Sequence, residues 1–316
     1  MREMTVSKND AGQRLDRFLA KAVPLLPGTL AQKYIRTKRI KVDGKRTERN
    51  YRLVEGDTVQ LYIGDAFFET KEAEGLYRTI TEPNLSICYE DDLILIADKP
   101  PGLLCHSGTA PGEITLADLV KAYLYQSGVW NPAQEQSFAP ALCNRLDRNT
   151  GGLVLAAKTA AALQMLNEKI REREIDKYYL LAVHGRPEPD MGRIEGYLVK
   201  DSAQNRVHIA CAADSNAKDA VTVYRTLETR GDLSLVECKL ETGRTHQIRA
   251  QMAALGTPLL GDRKYGGGAG EPYQALWAYR IRFHFCSDAG VLTYLNGTEF
   301  FSGDVPFLTK YFDYRL

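Results

Sequence analysis

One carboxylate, Asp147, stands between Arg145 and Arg148 in the segment Asn144–Gly152. A carboxylate flanked by cations stays ionised and can act as a nucleophile. Asn149, Thr150, Gly151 and Gly152 are turn formers, and the apolar run Leu153–Ala157 follows them. Glycines at such a turn let the backbone bend tightly and approach a ligand closely. The tetrapeptide Arg-Leu-Asp-Arg also occurs at Arg14–Arg17. That copy runs straight into a helical apolar stripe, which makes Asp16 a helix-start residue near the positive end of the dipole. Context therefore selects Asp147. A second dense polar cluster, Thr242–Arg249, lies behind an apolar strand about a hundred residues later.

The elements that must carry these clusters can be read from periodicity. Leu15, Phe18, Leu19 and Ala22 share one face of a helix, which Pro24 and Pro27-Gly28 stop. A second helix is predicted near Leu30 to Arg36, then a strand from Ile40, an Asp43-Gly44 turn and a closing strand over 59–63. Residues 64–82 are polar and acidic and predict a linker. From Leu85 the chain becomes strand-rich. Residues 159–174 predict a helix capped by Thr159, with Leu163, Leu166 and Ile170 on its apolar side. Lys177 to Val183 predicts a strand. Trp277 to Phe285 alternates strictly, with the large aromatic and aliphatic residues on one face. The expected fold class is α+β, with domains at 11–63, 64–82 as linker, and 83–316.

Charge is unevenly placed. Lys33, Arg36, Lys38, Arg39, Lys41, Lys45, Arg46, Arg49 and Arg52 face only Asp43 and Glu48 between residues 31 and 52, in a chain of net charge +1. This local excess suits a phosphate backbone. The order helix, helix, hairpin around it resembles the alpha-L RNA-binding motif. Six scattered cysteines and five scattered histidines show no metal spacing, so no metal is expected, and the thiols read as those of a reducing, cytoplasmic protein. No signal peptide or membrane-spanning run is expected. Gly266-Gly267-Gly268 precedes no Lys-Ser/Thr, so no nucleotide cofactor is expected.

Four ordered motifs resemble the RluA family of RNA pseudouridine synthases: Lys99-Pro100-x-Gly102, the stretch from Phe138 to Gly152, Lys177-x-Tyr179, and the stretch from Leu240 through Arg249 to Gly266. The resemblance implies a small basic RNA-binding module followed by a catalytic domain on a mixed, largely antiparallel sheet. It also implies isomerisation of uridine in RNA, ribosomal RNA first and tRNA second, without a cofactor. Asp147 would be the nucleophile, Arg244 the guanidinium paired with it, and Tyr179 the ring stacked on the target base. Arg145 would fill the space the flipped base leaves. Lys33, Arg36, Lys38, Arg39 and Lys41 would hold RNA. A monomer is expected because no unpaired apolar helix face stands out in the sequence.

Two positions depart from the family pattern: Asn144 replaces His, and Gly151 stands where Ser is usual. His246 and Asp262 read as structural residues, and Lys99 as a turn-shaping one. Two other readings remain open at this point. One is a non-catalytic RNA-binding or assembly factor. The other is a hydrolase using a carboxylate pair, for which Glu241 is the candidate second member.

Overall fold

A computed structural model describes residues 1–68, 75–107, 112–201, 204, 206–210, 214, 216–268 and 270–316. Glu69, Glu72 and Glu74 of the expected linker and Cys211 lie outside the described residues. The chain divides into two compact units. One comprises Met1–Asn84, Ala117–Ala141 and Ala157–Gln164, and the other Leu85–Leu116, Leu142–Ala156 and Met165–Leu316.

The first unit opens with β1 (Arg2–Thr5), α1 (Leu15–Ala22), α2 (Gly28–Arg36), β2 (Ile40–Val42) and β3 (Thr58–Leu61). The strands pair antiparallel in the order β1-β3-β2. Leu15, Phe18 and Leu19 of α1 and Ala31 and Ile35 of α2 bury against Ile40, Val42, Val59 and Leu61. Each large side chain buried this way contributes about 1.5–3 kcal/mol. Asp43 and Gly44 both have positive φ, 49° and 73°, the backbone of a two-residue hairpin turn. The charged faces of α2 and the turns after it are left to solvent. Lys33, Arg36, Lys38, Arg39, Lys45, Arg46 and Arg49 are exposed, while Lys41 is half-buried. Arg39 lies over the Tyr34 ring at 5.4 Å and Lys41 near Tyr62 at 5.3 Å.

The remaining elements are β4 (Ile87–Glu90), β5 (Ile94–Lys99), α3 (Leu116–Gln126), β6 (Ala141–Leu142), β7 (Gly151–Ala157), α4 (Ala160–Arg171), β8 (Ile175–His184), β9 (Met191–Asp201), β10 (Arg206–Ala210), β11 (Lys218–Arg230), β12 (Leu233–Leu240), α5 (Gln247–Ala254), β13 (Leu276–Phe283), β14 (Glu299–Phe301) and α6 (Pro306–Tyr311). One sheet runs β10-β9-β11-β12-β8-β13-β7-β5-β4. The pairing of β13 with β7 is parallel, whereas β8 pairs antiparallel with both β12 and β13. The expected α+β class with a mixed, largely antiparallel sheet is therefore observed. Strand β13 departs from the simple alternation expected of it. It lies between β7 and β8, both of its faces are covered, and Trp277, Ala278 and Tyr279 are all buried around a bulge between Ala278 and Arg280. A central strand needs apolar groups on both faces.

Candidate active site

Asp147 sits on a loop that is fixed from beneath by a buried lysine. Lys99, at the end of β5, is fully buried, and its ammonium donates to the carbonyls of Pro100, Leu103 and Arg148 at 2.9, 2.8 and 3.0 Å. Burial pulls its pKa down to about 8. The Gly102 N–H also donates to the Arg148 carbonyl, and the Thr150 N–H donates to the Asp147 carbonyl at 3.1 Å. The Leu146 N–H reaches Cys105 Sγ at 3.2 Å. Lys99 thus shapes the turn, as its sequence context indicates, and the turn it shapes is the one that presents Asp147.

Both departures from the family pattern have a physical reading. Asn144 Oδ1 accepts the Leu155 N–H at 2.8 Å, which ties the start of the loop to β7. An amide fills this role without a charge. A Cβ at Gly151 would stand 2.2 Å from the Trp277 ring, and one at Gly152 would stand 2.2 Å from the Ala278 carbonyl oxygen. These glycines make room for the parallel approach of β13, where Trp277 pairs with Gly151 and Ala278 with Gly152. What comes close to both glycines is the neighbouring strand.

The opposite wall is the segment Thr242–Arg249, which ends in α5. This helix is buried along Gln247–Met252 although half of those residues are polar. Gln247 explains why. Its amide donates to the Val221 carbonyl and Thr222 Oγ1, and its oxygen accepts from Thr242 Oγ1 and the Arg244 N–H. Gln251 accepts from Thr222 Oγ1 at 2.6 Å. The two glutamines fasten α5 to β11 and satisfy their own buried groups.

So fastened, α5 aims Arg249 at the loop. Arg249 donates to both oxygens of the buried Asp262, at 2.7 and 2.9 Å, and places Nη1 3.3 Å from Asp147 Oδ2. Its guanidinium lies 5.1 Å from the Tyr265 ring centre. Burial opposes its charge, but the Asp262 hydrogen bonds and the nearby Asp147 hold its pKa above the ordinary arginine value. The expected pairing of Arg244 with Asp147 is corrected here. Arg244 turns away from Asp147, donating to the Asp219 carbonyl at 2.8 Å and to Asp219 Oδ1 at 2.5 Å. It precedes α5 and is partly exposed, so it reaches the start of β11 instead of the loop.

His246 has a left-handed backbone, with φ 52°. Its Nδ1 is 3.0 Å from the Tyr265 hydroxyl and its Nε2 is 3.7 Å from Asp147 Oδ2. Burial lowers its pKa to about 4 and outweighs the opposing pull of Asp147. The ring is neutral at pH 7, so its approach to Asp147 is a contact between a neutral ring and a carboxylate, not an ion pair.

Tyr179 and Lys177 are two residues apart on β8 and share one face, whereas Tyr178 and Leu180 pack on the other. Burial, and then the Asp147 charge, raise the Tyr179 hydroxyl well above the ordinary phenol range, so it keeps its proton. Burial also lowers the pKa of Lys177. Asn144, Arg145, Asp147, Lys177, Tyr179 and the 240–249 segment together line a pocket of about 350 Å³. Arg145 is exposed at its mouth and makes no ion pair among the described residues. Glu241 lines the same pocket but is engaged by Arg193 Nη1. Among the described residues no group of His, Cys, Asp or Glu is placed to hold a metal ion.

The sequence reading missed Arg249, although the signal was there: a cation between Ile248 and Ala250 on a helix with little amphipathic character. It also missed Tyr265, which joins His246 to the backbone of Val207 on β10.

With this geometry in view, the comparisons are decisive. A family model described as RNA pseudouridylate synthase matches residues 93–254. The chain belongs to this family. A model described as the S4 domain matches residues 13–59, within the basic N-terminal unit. The enzyme is 32% identical to an uncharacterized RNA pseudouridine synthase of Bacillus subtilis strain 168, over 84% of this chain and 82% of that protein. It is 33% identical to the ribosomal large subunit pseudouridine synthase D of Nitrosomonas europaea, over 86% and 74%. It is 34% identical to the synthase C of Rickettsia bellii, over 82% and 85%. Among solved structures it is similar to human RNA pseudouridylate synthase domain containing 1, with TM-score 0.55 and 25% identity, over 72% of this chain and 86% of that one. The enzyme is an RNA pseudouridine synthase with an N-terminal S4 domain, as its four motifs indicated. Membership also sets aside the hydrolase reading that rested on Glu241.

Proposed function

We propose that the enzyme isomerises uridine in ribosomal RNA, with Asp147 as nucleophile, and that it works as a cytoplasmic monomer. The observation that carries the assignment is Asp147 Oδ2 held 3.3 Å from Arg249 in a pocket that also contains the protonated Tyr179 phenol. An Asp147 oxygen attacks the sugar carbon that bears the base. The bond to uracil N1 breaks, and its electron pair leaves with the base. The pocket retains the uracil anion and excludes water while the base turns. Carbon 5 of uracil then displaces Asp147 from the sugar. The hydrogen on carbon 5 leaves as a proton, and N1 gains one.

Within this scheme Arg249, not Arg244, orients Asp147, as a guanidinium does for a carboxylate. Tyr179 offers a flat ring to stack on the base and a phenol that stays a donor. Flipping the target costs about a few kcal/mol, which stacking and pocket hydrogen bonds offset. Arg145, exposed and without an ion-pair partner among the described residues, suits the gap left in the RNA. Lys33, Arg36, Lys38, Arg39 and Lys41 supply phosphate contacts that add affinity without reading sequence. The relatives named for the ribosomal large subunit favour ribosomal RNA over tRNA.

The test is tritium release from RNA labelled at carbon 5 of uridine, with ribosomal RNA and tRNA presented separately. Wild type is expected to release tritium from ribosomal RNA, and Asp147→Asn to lose about 10³-fold or more of that rate. Full activity in Asp147→Asn would remove Asp147 from the role. Release from tRNA alone would overturn the substrate assignment.

A further inference from the structure

A second hollow lies against the catalytic pocket on the other side of the 243–245 loop. It is lined by Leu198, Lys200, Val207, Lys218, Arg244 and their neighbours, and has a volume of about 190 Å³. Strand register explains its composition. Lys200 pairs with Val207 across β9–β10, and Lys218 pairs with Leu198 across β9–β11. Directly opposed residues, and residues two apart on one strand, share a face. Both lysines therefore project on the face of the sheet that the loop covers.

The hollow is built for negative charge and holds little of its own. Lys200 and Lys218 are exposed, and neither makes an ion pair among the described residues. No acid is among its lining residues. Arg244, at the edge it shares with the catalytic pocket, is engaged by Asp219. That pair is open to water on both sides, with side chains 34% and 56% exposed. Such pairs contribute little and exchange easily. Gly243, Arg244 and Thr245 line both cavities, so the two hollows share this stretch of chain as a wall.

We propose that Lys200, Lys218 and Arg244 form a phosphate subsite for the RNA strand next to the target uridine, and that Asp219 occupies Arg244 until the phosphate arrives. The proposal rests on the reading of the adjoining pocket as the uridine site. It gives Arg244 a task the pocket geometry denies it as a partner of Asp147. When RNA binds, Arg244 exchanges a carboxylate for a phosphodiester oxygen, and the two lysines complete the charge. Since no base edge is contacted, the subsite fixes the register of the strand without selecting its sequence.

The experiment measures binding of a uridine-containing RNA oligonucleotide over a salt series, using the full chain. Lys200→Ala/Lys218→Ala is compared with wild type, and Lys310→Ala serves as a control for general charge loss. The double variant is expected to bind about tenfold more weakly. Its log Kd against log salt should be shallower by about 0.7, the loss of one phosphate on a single strand. Asp219→Asn, which frees Arg244, is expected to bind about threefold more tightly. Affinity and salt slope equal to wild type in the double variant, or weaker binding in Asp219→Asn, would overturn the subsite. Binding is read without turnover. A wild-type enzyme that released no tritium would therefore sink the catalytic reading and leave the salt slopes to judge the subsite alone.

Discussion

Lys33, Arg36, Lys38 and Arg39 stand in solvent with no carboxylate against them among the described residues, whereas Arg249 is enclosed by Asp262, Tyr265 and Asp147. Both regions carry positive charge, and the contrast lies in what each charge would lose if its setting changed. An exposed cation keeps its hydration and trades counterions for phosphate, so it acts additively and loses force in salt. A buried cation has given up water and depends on its partners, so it acts through geometry and tolerates little. In the proposed function the first region supplies adhesion and the second supplies chemistry.

The contrast is tested most severely by exchanging arginines. Arg249→Ala leaves Asp262 buried without its partner and is expected to cost about 3–5 kcal/mol of stability in denaturant unfolding. Arg244→Ala breaks only the exposed pair with Asp219 and should cost below about 1 kcal/mol. Equal losses in the two variants would erase the distinction. Acid should then expose His246. Its folded pKa of about 4 lies below the ordinary 6.5, so the unfolded chain takes the proton first as pH falls. Stability is expected to drop as pH falls from 6.5 toward 4, by up to about 3 kcal/mol. His246→Gln should flatten that limb of the stability curve.

A smaller effect is expected at Gly151. An added Cβ meets Trp277, so Gly151→Ala should lose about 1–3 kcal/mol by thermal unfolding. The smallest belongs to the exposed module. Lys33→Ala or Arg36→Ala should change stability by less than about 0.5 kcal/mol, while each lowers the salt slope of RNA binding by about 0.7. A large stability loss there would mean that these cations hold the fold and not RNA.

The same contrast explains what could be read from the chain. The hairpin at Asp43-Gly44 and the helix after Thr159 were legible because their signals are local. Two residues must adopt positive φ in one case, and a hydroxyl accepts the Ala162 N–H at 3.2 Å in the other. The Asp147 loop was legible because glycine, asparagine and a flanked carboxylate concentrate within nine residues. The partner of Asp147 was not. Arg244 and Arg249 sit in one octapeptide, and only the fastening of α5 by Gln247 and Gln251 decides which reaches across the sheet. The role of Gly151 and Gly152 was hidden for a similar reason, since Trp277 arrives from more than a hundred residues away. Long-range approach leaves no periodic trace in the residues approached.

Arg249 has two acidic neighbours of different standing, and this bears on what happens when one of them vanishes. In the proposed ester, Asp147 no longer carries charge. The guanidinium still donates two hydrogen bonds to Asp262, so it neither swings away nor is left as a lone buried cation. The negative charge surrendered by Asp147 moves onto the departing uracil, beside the same guanidinium. Total charge in the cavity is constant across the proposed step. The base can therefore turn within a cage whose walls have no electrostatic reason to move.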